Sequence, residues 1–306
     1  MVDRGAETLC NCRTRDPARE KMIMQGLNAS LSSLITPDAA LAAKTARFLD
    51  ATALLPGQPG DPDGDFARER LPGAVRFDIE AFSDPANALP HMVPTQAQFA
   101  SGMAALGLTR DTPLIFYDRK GSIGACRAWW LAKLFGHESA FVLDGGLEAF
   151  RRAGGAIETG DAAQLVVSEG YRPRPRFDFL AGTGDVLAAL GDPAVLILDA
   201  RAEARFLAEA PEPRPGVRGG HMPGAVSLPF GKVIDGEGRF LSPEALRANF
   251  ASCGLEGQTV ITSCGSGLTA ATLTVALVAA GLPQGRLYDG SWAEWGADPS
   301  LPVATF

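Results

Sequence analysis

Residues 260–273, "VITSCGSGLTAATL", have the pattern of a strand, a turn and the start of a helix. Thr259–Ser263 is rich in apolar and β-branched residues, residues 265–267 (Gly-Ser-Gly) form a turn that glycine adopts most easily, and the following residues suit a buried helix. A strand followed closely by a helix is the repeating unit of a parallel α/β sheet. The stretch therefore predicts an α/β fold with Cys264 at the carboxyl end of a strand.

The chain runs through one pattern twice. "LIFYD", ending at Asp118, matches "VITSC", ending at Cys264, and "VLDGGLEAF" around Asp144 matches "LYDGSWAEW" around Asp289. Three more pairs follow the same order: "FLDATALLPG" with "ILDARAEARF", "LPGAVRFDI" with "MPGAVSLPF", and "TQAQFASGMAALGL" with "SPEALRANFASCGL". Matched blocks in one order and at nearly constant spacing indicate a duplicated domain.

The second copy alternates apolar, β-rich runs with helical patterns. Its predicted strands are residues 195–199, 225–228, 258–263 and 286–288, and a helix is predicted to begin after Ser242 and Pro243 and to end at Gly254. We predict an N-terminal extension without stable fold over 1–27, a first domain over 28–155, a linker over 156–179 and a second domain over 180–306. Each domain is expected to be a parallel sheet flanked by helices on both faces.

Composition narrows the range of partners. The formal net charge of −7 and the isoelectric point near 5.1 carry no electrostatic signature of binding to nucleic acid or to an anionic membrane. The most apolar segment, residues 270–282, is too short to cross a bilayer and is predicted to be a buried helix. The charged N-terminus lacks the apolar core of a secretory signal, so we expect a cytoplasmic protein.

The five cysteines are few for 306 residues, which favours reduced thiols over a disulfide framework. Cys10 and Cys12 have no partner pair at zinc-site spacing, so no metal is expected, and nothing in the sequence calls for an organic cofactor. Cys126 and Cys253 are interpreted as structural residues of helices.

Cys264 is interpreted differently because of its position. In open α/β sheets, ligands bind at the carboxyl ends of the strands, where free backbone N–H groups and the positive end of a helix dipole favour a thiolate. The alternative is a small buried hydrophobic residue. The glycines of the turn favour a nucleophile, and Asp118, the matching residue of the first copy, has no thiol. The interpretation places the sulfur at the bottom of a cleft between the two halves, and it fails if the sulfur is walled off from solvent or points away from the loop amides.

The chain resembles the tandem-domain rhodanese-like sulfurtransferases. The resemblance runs from about residue 34 to 303 and is most specific in "CGSGLTA", "YDGSWAEW", "FDIEAFSD" and "GHMPGA". It implies two tandem rhodanese-like domains, of which the second is active and the first helps to build the site. It also implies that Cys264 takes sulfur from a donor as a persulfide and passes it to an acceptor.

The loop after Cys264 carries no charge, which resembles members of the family that prefer 3-mercaptopyruvate, although Leu268 stands where they carry valine. The resemblance implies 3-mercaptopyruvate as donor, with a small thiol, thioredoxin or cyanide as acceptor. Two alternatives stay open: a thiosulfate sulfurtransferase, and a non-catalytic sulfur carrier or binding scaffold. A cysteine phosphatase is disfavoured because no arginine follows within the loop.

Several site residues follow from the resemblance. Arg205 and Arg214 match the arginines that hold the donor carboxylate, a role that suits the planar guanidinium. Arg201 matches less firmly, and Arg127, in "CRAWW", is expected to give structural support. The loop N–H groups are expected to stabilise the persulfide, which adds Gly265, Gly267, Leu268 and Thr269 to the substrate-binding set.

Proton transfer is assigned by the same resemblance to Ser266, His91 and Glu80. A histidine oriented by a carboxylate can move the proton of a serine near neutral pH. Glu80 stands where animal members have aspartate. His137 and His221 are interpreted as hydrogen-bonded structural residues.

Overall fold

The structure is a computed structural model that describes residues 33–119, 123–160, 162, 165–168 and 170–305. The predicted extension over 1–27, with Cys10 and Cys12, lies outside the described residues. Within those ranges no helix combines the length and the apolar character needed to cross a membrane.

The first half of the chain forms a five-stranded sheet in which every strand pairs parallel to its neighbours, in the order β1-β5-β4-β2-β3. Its strands are β1 (Leu34–Ile35), β2 (Arg47–Asp50), β3 (Val75–Arg76), β4 (Leu114–Tyr117) and β5 (Ala140–Leu143). The helices of this half are α1 (Pro37–Ala42), α2 (Pro62–Arg68), α3 (Gln96–Ala105), α4 (Ile123–Leu134) and α5 (Gly146–Arg152).

The second half repeats this topology, with a parallel sheet in the order β6-β10-β9-β7-β8. Its strands are β6 (Leu180–Ala181), β7 (Val195–Asp199), β8 (Val226–Ser227), β9 (Thr259–Ser263) and β10 (Arg286–Tyr288). Its helices are α6 (Thr183–Ala189), α7 (Glu203–Phe206), α8 (Pro243–Ser252), α9 (Leu268–Ala279) and α10 (Ser291–Trp295), with 3-10 turns at Phe177–Phe179 and Phe230–Lys232. The predicted α/β fold of two parallel sheets flanked by helices is confirmed.

Local sequence signals account for several element boundaries. The side chain of Ser242 accepts a hydrogen bond from Ala245 N at 3.3 Å and caps α8, Pro243 occupies its first turn, and Gly254 follows its end with φ +86°. Thr95 and Gln98 form a reciprocal capping box at α3. β7 and β10 have the predicted bounds, whereas the predicted strand over 225–228 is shorter, as β8.

The two sheets share one continuous hydrophobic core. It includes Trp130 of α4 and Leu273 of α9, which are both fully buried, and Ser33 Oγ donates to the carbonyl of Val275 in α9 at 2.9 Å. The predicted buried helix at residues 270–282 is thus α9, which begins two residues earlier. The division at 155 and 180 remains a prediction, and both sheets lie within its bounds.

Candidate active site

Cys264 directly follows β9, and α9 begins four residues later at Leu268. Between them the loop turns through Gly267, whose φ of +77° favours glycine. A Cβ at this position would also lie 3.0 Å from Asp289 O and from Arg127 Nη1. The predicted placement of Cys264 between a strand end and a helix N-terminus is confirmed.

Ser291 holds the cysteine loop in place. Its Oγ accepts hydrogen bonds from the backbone N–H groups of Cys264 and Gly267, both at 3.1 Å, and donates to the carbonyl of Tyr288 at 2.8 Å. Ser291 is fully buried and has a positive φ of 50°, which is uncommon for a residue other than glycine. Sequence reasoning missed this residue, although it lies in the quoted motif "YDGSWAEW".

The rest of the loop offers free donors. In the described part of the chain, the backbone N–H groups of Gly265, Ser266, Leu268 and Thr269 have no hydrogen-bond acceptor. These N–H groups lie just before and within the first turn of α9, where the helix dipole favours negative charge. These residues can therefore stabilise an anionic sulfur or a bound anion.

Cys264 is buried but lines a partly open cavity. The residue is only 1% exposed, yet it lines a cavity of about 260 Å³. Leu55, Pro56 and Gln58 from the first half close one side of this cavity, which matches the expected cleft between the halves. These three residues carried no signal in the sequence that pointed to the site.

The three candidate arginines all line this cavity, but their surroundings differ. Arg201 is fully buried. It forms ion pairs with Asp199 and, at 2.8 Å, with Glu212, and it donates a hydrogen bond to the carbonyl of Gly220 at 2.7 Å. Its guanidinium also lies over the ring of Trp292, with Cζ 4.2 Å from the ring centroid. Arg201 is therefore held by the protein itself.

Arg205 and Arg214 can both reach a ligand. Glu212 binds Arg205 through two atoms, with Oε1 3.2 Å from Nε and Oε2 2.5 Å from Nη2, which leaves Nη1 free. Arg214 makes no ion pair and no hydrogen bond with any residue that the structure describes. It lies in the wall that this cavity shares with a second one of about 500 Å³.

His91 and Glu80 line that second cavity. Their atoms Nδ1 and Oε1 are 2.7 Å apart, but the carboxylate lies off the direction needed for a hydrogen bond. Burial, followed by the positive charges of Arg127 and Arg214, lowers the pKa of His91 to about 4. The imidazole is therefore neutral at pH 7.

Burial and the neighbouring Asp78 raise the pKa of Glu80, against the opposite effects of Arg214 and Arg127. Because the Glu80 side chain is 66% exposed, we expect solvent to reduce this shift. Ser266 lines the cavity of Cys264, and among the described residues its side chain makes no hydrogen bond to His91. The structure thus brings His91 and Glu80 together and leaves Ser266 apart from them.

Arg127 joins the two halves beside the cysteine loop. Its side chain is fully buried, and Nη2 lies 2.7 Å from Asp289 Oδ1 and donates to the carbonyl of His91. Nη1 lies 3.5 Å from the carbonyl of Gly267, and Asp289 Oδ2 accepts from Val93 N at 2.7 Å. Arg127 therefore supports the cysteine loop by linking His91 of the first half to Asp289 and Gly267 of the second.

Comparison with known proteins identifies the fold. The rhodanese-like domain model matches residues 38–153 and again residues 183–298. The chain belongs to the rhodanese-like family. It is 42% identical over 250 residues to a 3-mercaptopyruvate sulfurtransferase of Escherichia coli K12, covering 80% of this chain and 88% of that protein.

Two further matches, one to a sequence and one to a solved structure, cover most of the chain. The chain is 34% identical to thiosulfate/3-mercaptopyruvate sulfurtransferase 1, mitochondrial, of Arabidopsis thaliana, which covers 84% of this chain and 73% of that protein. The crystal structure of SseA from Escherichia coli, described as a 3-mercaptopyruvate sulfotransferase with the rhodanese fold, matches with a TM-score of 0.77 and 35% identity. This match covers 85% of this chain and 99% of the other.

In the first rhodanese-like domain, Asp118 occupies the position of Cys264. It is buried, and its Oδ1 accepts a hydrogen bond from Ala125 N at 2.8 Å, in the first turn of α4. Burial, followed by the nearby Asp50, raises the pKa of Asp118 to about 8. The Asp118 carboxyl group thus accepts a hydrogen bond from a backbone N–H group at the start of α4. At the start of α9, in the second domain, the backbone N–H groups of Leu268 and Thr269 have no such acceptor among the described residues.

Cys126, Cys253, His137 and His221 of this rhodanese-like protein have structural surroundings. Cys126 is fully buried in the core, and Cys253 is half-buried next to the end of α8. The ring of His137 contacts Tyr171 Oη and the carbonyl of Thr112, both at 2.8 Å. His221 contacts the carbonyl of Phe206. Among the described residues no group of three or more His, Cys, Asp or Glu is arranged to hold a metal ion.

Proposed function

We propose that this protein is a sulfurtransferase that moves sulfur from 3-mercaptopyruvate, through a persulfide on Cys264, to a thiol, thioredoxin or cyanide. The main observation is that Cys264 lines a cavity that also contains free backbone N–H groups and the unpaired guanidinium of Arg214. The names of the relatives support the choice of reaction.

In the first half-reaction, Arg214 and the free Nη1 of Arg205 hold the carboxylate of the donor. The Cys264 thiolate attacks the donor sulfur, an S–S bond forms, and the C–S bond breaks with its electron pair on carbon. The products are the Cys264 persulfide and the enolate of pyruvate. The free loop amides stabilise the persulfide, as they would any anionic sulfur.

The enolate then takes up a proton. We assign this proton transfer to Ser266, assisted by His91 and Glu80. Because Ser266 and His91 line adjoining cavities and make no direct hydrogen bond with each other, the bound donor or a water molecule has to connect them. In the second half-reaction an acceptor nucleophile attacks the outer sulfur and releases the Cys264 thiolate.

Intact mass spectrometry tests the persulfide directly. After incubation with 3-mercaptopyruvate and removal of excess donor, the wild-type protein should gain the mass of one sulfur atom, and reduction with dithiothreitol should remove it. Cys264→Ser should gain nothing, whereas Cys253→Ser, which changes a half-buried cysteine next to α8, should behave like the wild type. An unmodified wild-type protein would refute the proposal.

The two alternatives are separated by turnover. A thiosulfate sulfurtransferase would have the higher kcat/KM with thiosulfate, and cyanide as a common acceptor allows both donors to be compared. A non-catalytic sulfur carrier would take up one sulfur and then show no repeated turnover with any acceptor. We expect repeated turnover and a higher kcat/KM with 3-mercaptopyruvate.

A cytoplasmic location is part of the proposal and is tested by cell fractionation.

A further inference from the structure

Glu212 lies behind the cavity of Cys264 and binds two of its arginines. Its side chain is only 4% exposed; Oε1 accepts from Arg201 Nη1 at 2.8 Å, and both carboxylate oxygens accept from Arg205. A buried carboxylate between two guanidinium groups is a strong local charge, because little water screens it. Sequence reasoning assigned no role to this residue.

The charges behind the cavity cancel. Asp199 binds Arg201 through both of its oxygens, at 2.7 to 3.1 Å, so that two carboxylates face two guanidinium groups within one buried cluster. The charged side chains that line the cavity itself are Arg201, Arg205 and Arg214. Of these three, Arg214 alone has no carboxylate within ion-pair distance among the described residues, although its charge acts on Glu80 in the adjoining cavity.

We propose that Glu212 sets the charge selectivity for the donor: by pairing with Arg205 it leaves Arg214 as the one guanidinium of the cavity wall without an ion pair among the described residues, which suits a monoanionic carboxylate donor better than a dianion. This inference rests on the proposed function. A dianion such as thiosulfate would bring a second negative charge next to the buried carboxylate of Glu212. A monoanion is matched by Arg214 and still receives a hydrogen bond from Arg205 Nη1.

Glu212 is a positioning residue in this scheme, because it acts through Arg205. It binds Nε and Nη2 of the guanidinium, and Nη1 has no acceptor among the residues that the structure describes. The guanidinium in turn lies against the cysteine loop, since a Cβ at Gly265 would be 3.2 Å from Nη2. Glutamine at position 212 keeps the shape of the side chain and one acceptor oxygen, and it removes the charge. Its NH2 group replaces the other acceptor oxygen, so the effect of the charge has to be separated from that of one lost hydrogen bond.

The test compares kcat/KM for thiosulfate and for 3-mercaptopyruvate, with cyanide as acceptor. In Glu212→Gln the ratio of thiosulfate to 3-mercaptopyruvate should rise about tenfold, because one buried negative charge near the second donor charge is gone. Glu209→Gln removes the same charge from an exposed position of the same segment and should leave the ratio within about twofold of the wild type. A ratio unchanged in Glu212→Gln would overturn the proposal.

A double variant that restores the net charge of the cluster separates the effect of the Glu212 charge from the effect of the changed hydrogen bonds. Arg205→Gln with Glu212→Gln has the same net charge as the wild-type cluster, so its donor ratio should return towards the wild-type value even if both rates fall. If the double variant kept the tenfold raised ratio, the charge of Arg205 would not be the cause and the proposal would fail.

Anion binding gives a readout that does not depend on turnover. Methanesulfonate and sulfate have similar tetrahedral shapes, with one and two charges, and calorimetric titration gives their Kd values. The wild-type protein should bind sulfate no more tightly than methanesulfonate, and Glu212→Gln should shift the preference towards sulfate about tenfold. Wild-type protein that binds sulfate tenfold more tightly contradicts the role of Glu212. Failure of both donors to transfer sulfur would instead refute the proposed function.

Discussion

Replacing Arg127 by methionine should destabilise the protein strongly, because it leaves Asp289 as an unpaired buried carboxylate. Arg127 is fully buried, and the Asp289 side chain is 6% exposed. Two unit charges about 4 Å apart attract one another by about 4 kcal/mol at an effective dielectric constant near 20. Removal of one partner from a buried pair typically costs about 3–5 kcal/mol, and we expect this loss for Arg127→Met and also for Asp289→Asn.

A double-mutant cycle measured by urea unfolding isolates the pair. The double variant should lose about 1–3 kcal/mol less than the sum of the single losses, since no charge is left unpaired. The exposed pair Arg247–Glu244, with its charged atoms 3.0 Å apart, is the matched control and should couple by less than about 0.5 kcal/mol.

Additive losses at Arg127 and Asp289, within about 0.5 kcal/mol, would refute the reasoning that this pair joins the two halves. The same guanidinium approaches the carbonyl of Gly267 in the cysteine loop. Arg127→Met should therefore also lower kcat/KM for the donor under conditions in which the variant is folded.

Three further predictions concern the loop, the histidines and the donor. Ser291→Ala should cost about 1–3 kcal/mol of stability and lower kcat, because it leaves two buried loop amides without their acceptor. Stability should fall as the pH drops from about 6.5 to about 4: His91 and His137 both have pKa values lowered to about 4, so the unfolded chain takes up protons that the native state does not. The loss from these two histidines is complete below about pH 4 and amounts to about 3 kcal/mol for each, so His137→Gln should lose about 3 kcal/mol less than the wild type over this range. Asp118, whose pKa is raised to about 8, is protonated earlier in the native state than in the unfolded chain and offsets part of the wild-type loss. Arg214→Gln should lower kcat/KM for 3-mercaptopyruvate about 10–100-fold.

Each of these has a control and a contradicting outcome. Ser291→Gly relieves the positive φ without restoring the acceptor, so it should share the loss of kcat; recovery of kcat in this variant would point to strain instead of hydrogen bonding. A loss of stability between pH 6.5 and 4 that is as large in His137→Gln as in the wild type would contradict the low pKa of His137. For Arg214 the control is Arg172→Gln, an exposed arginine outside both cavities, and equal losses in the two variants would remove Arg214 from the site.

Much of the fold could be predicted because its signals are local. The bounds of β7 and β10 and the start of α8 follow from strand propensity, capping and turn residues that are neighbours in the chain. The duplication was visible for the same reason, since each matched block is a short run of sequence. The short β8 was predicted too long, because pairing with β7 alone decides how far an edge strand extends.

The sequence by itself determined the duplicated α/β topology and the position of Cys264 between β9 and α9, because both depend on residues adjacent in the chain. Only the tertiary structure decided that Ser291 holds the loop, that Glu212 forms an ion pair with Arg205 and that Arg214 has no ion pair within the described part of the chain. It also decided that Ser266 lies apart from His91. The physical reason is that charge pairing and hydrogen bonding depend on distances between residues that are far apart in sequence, which no local pattern encodes.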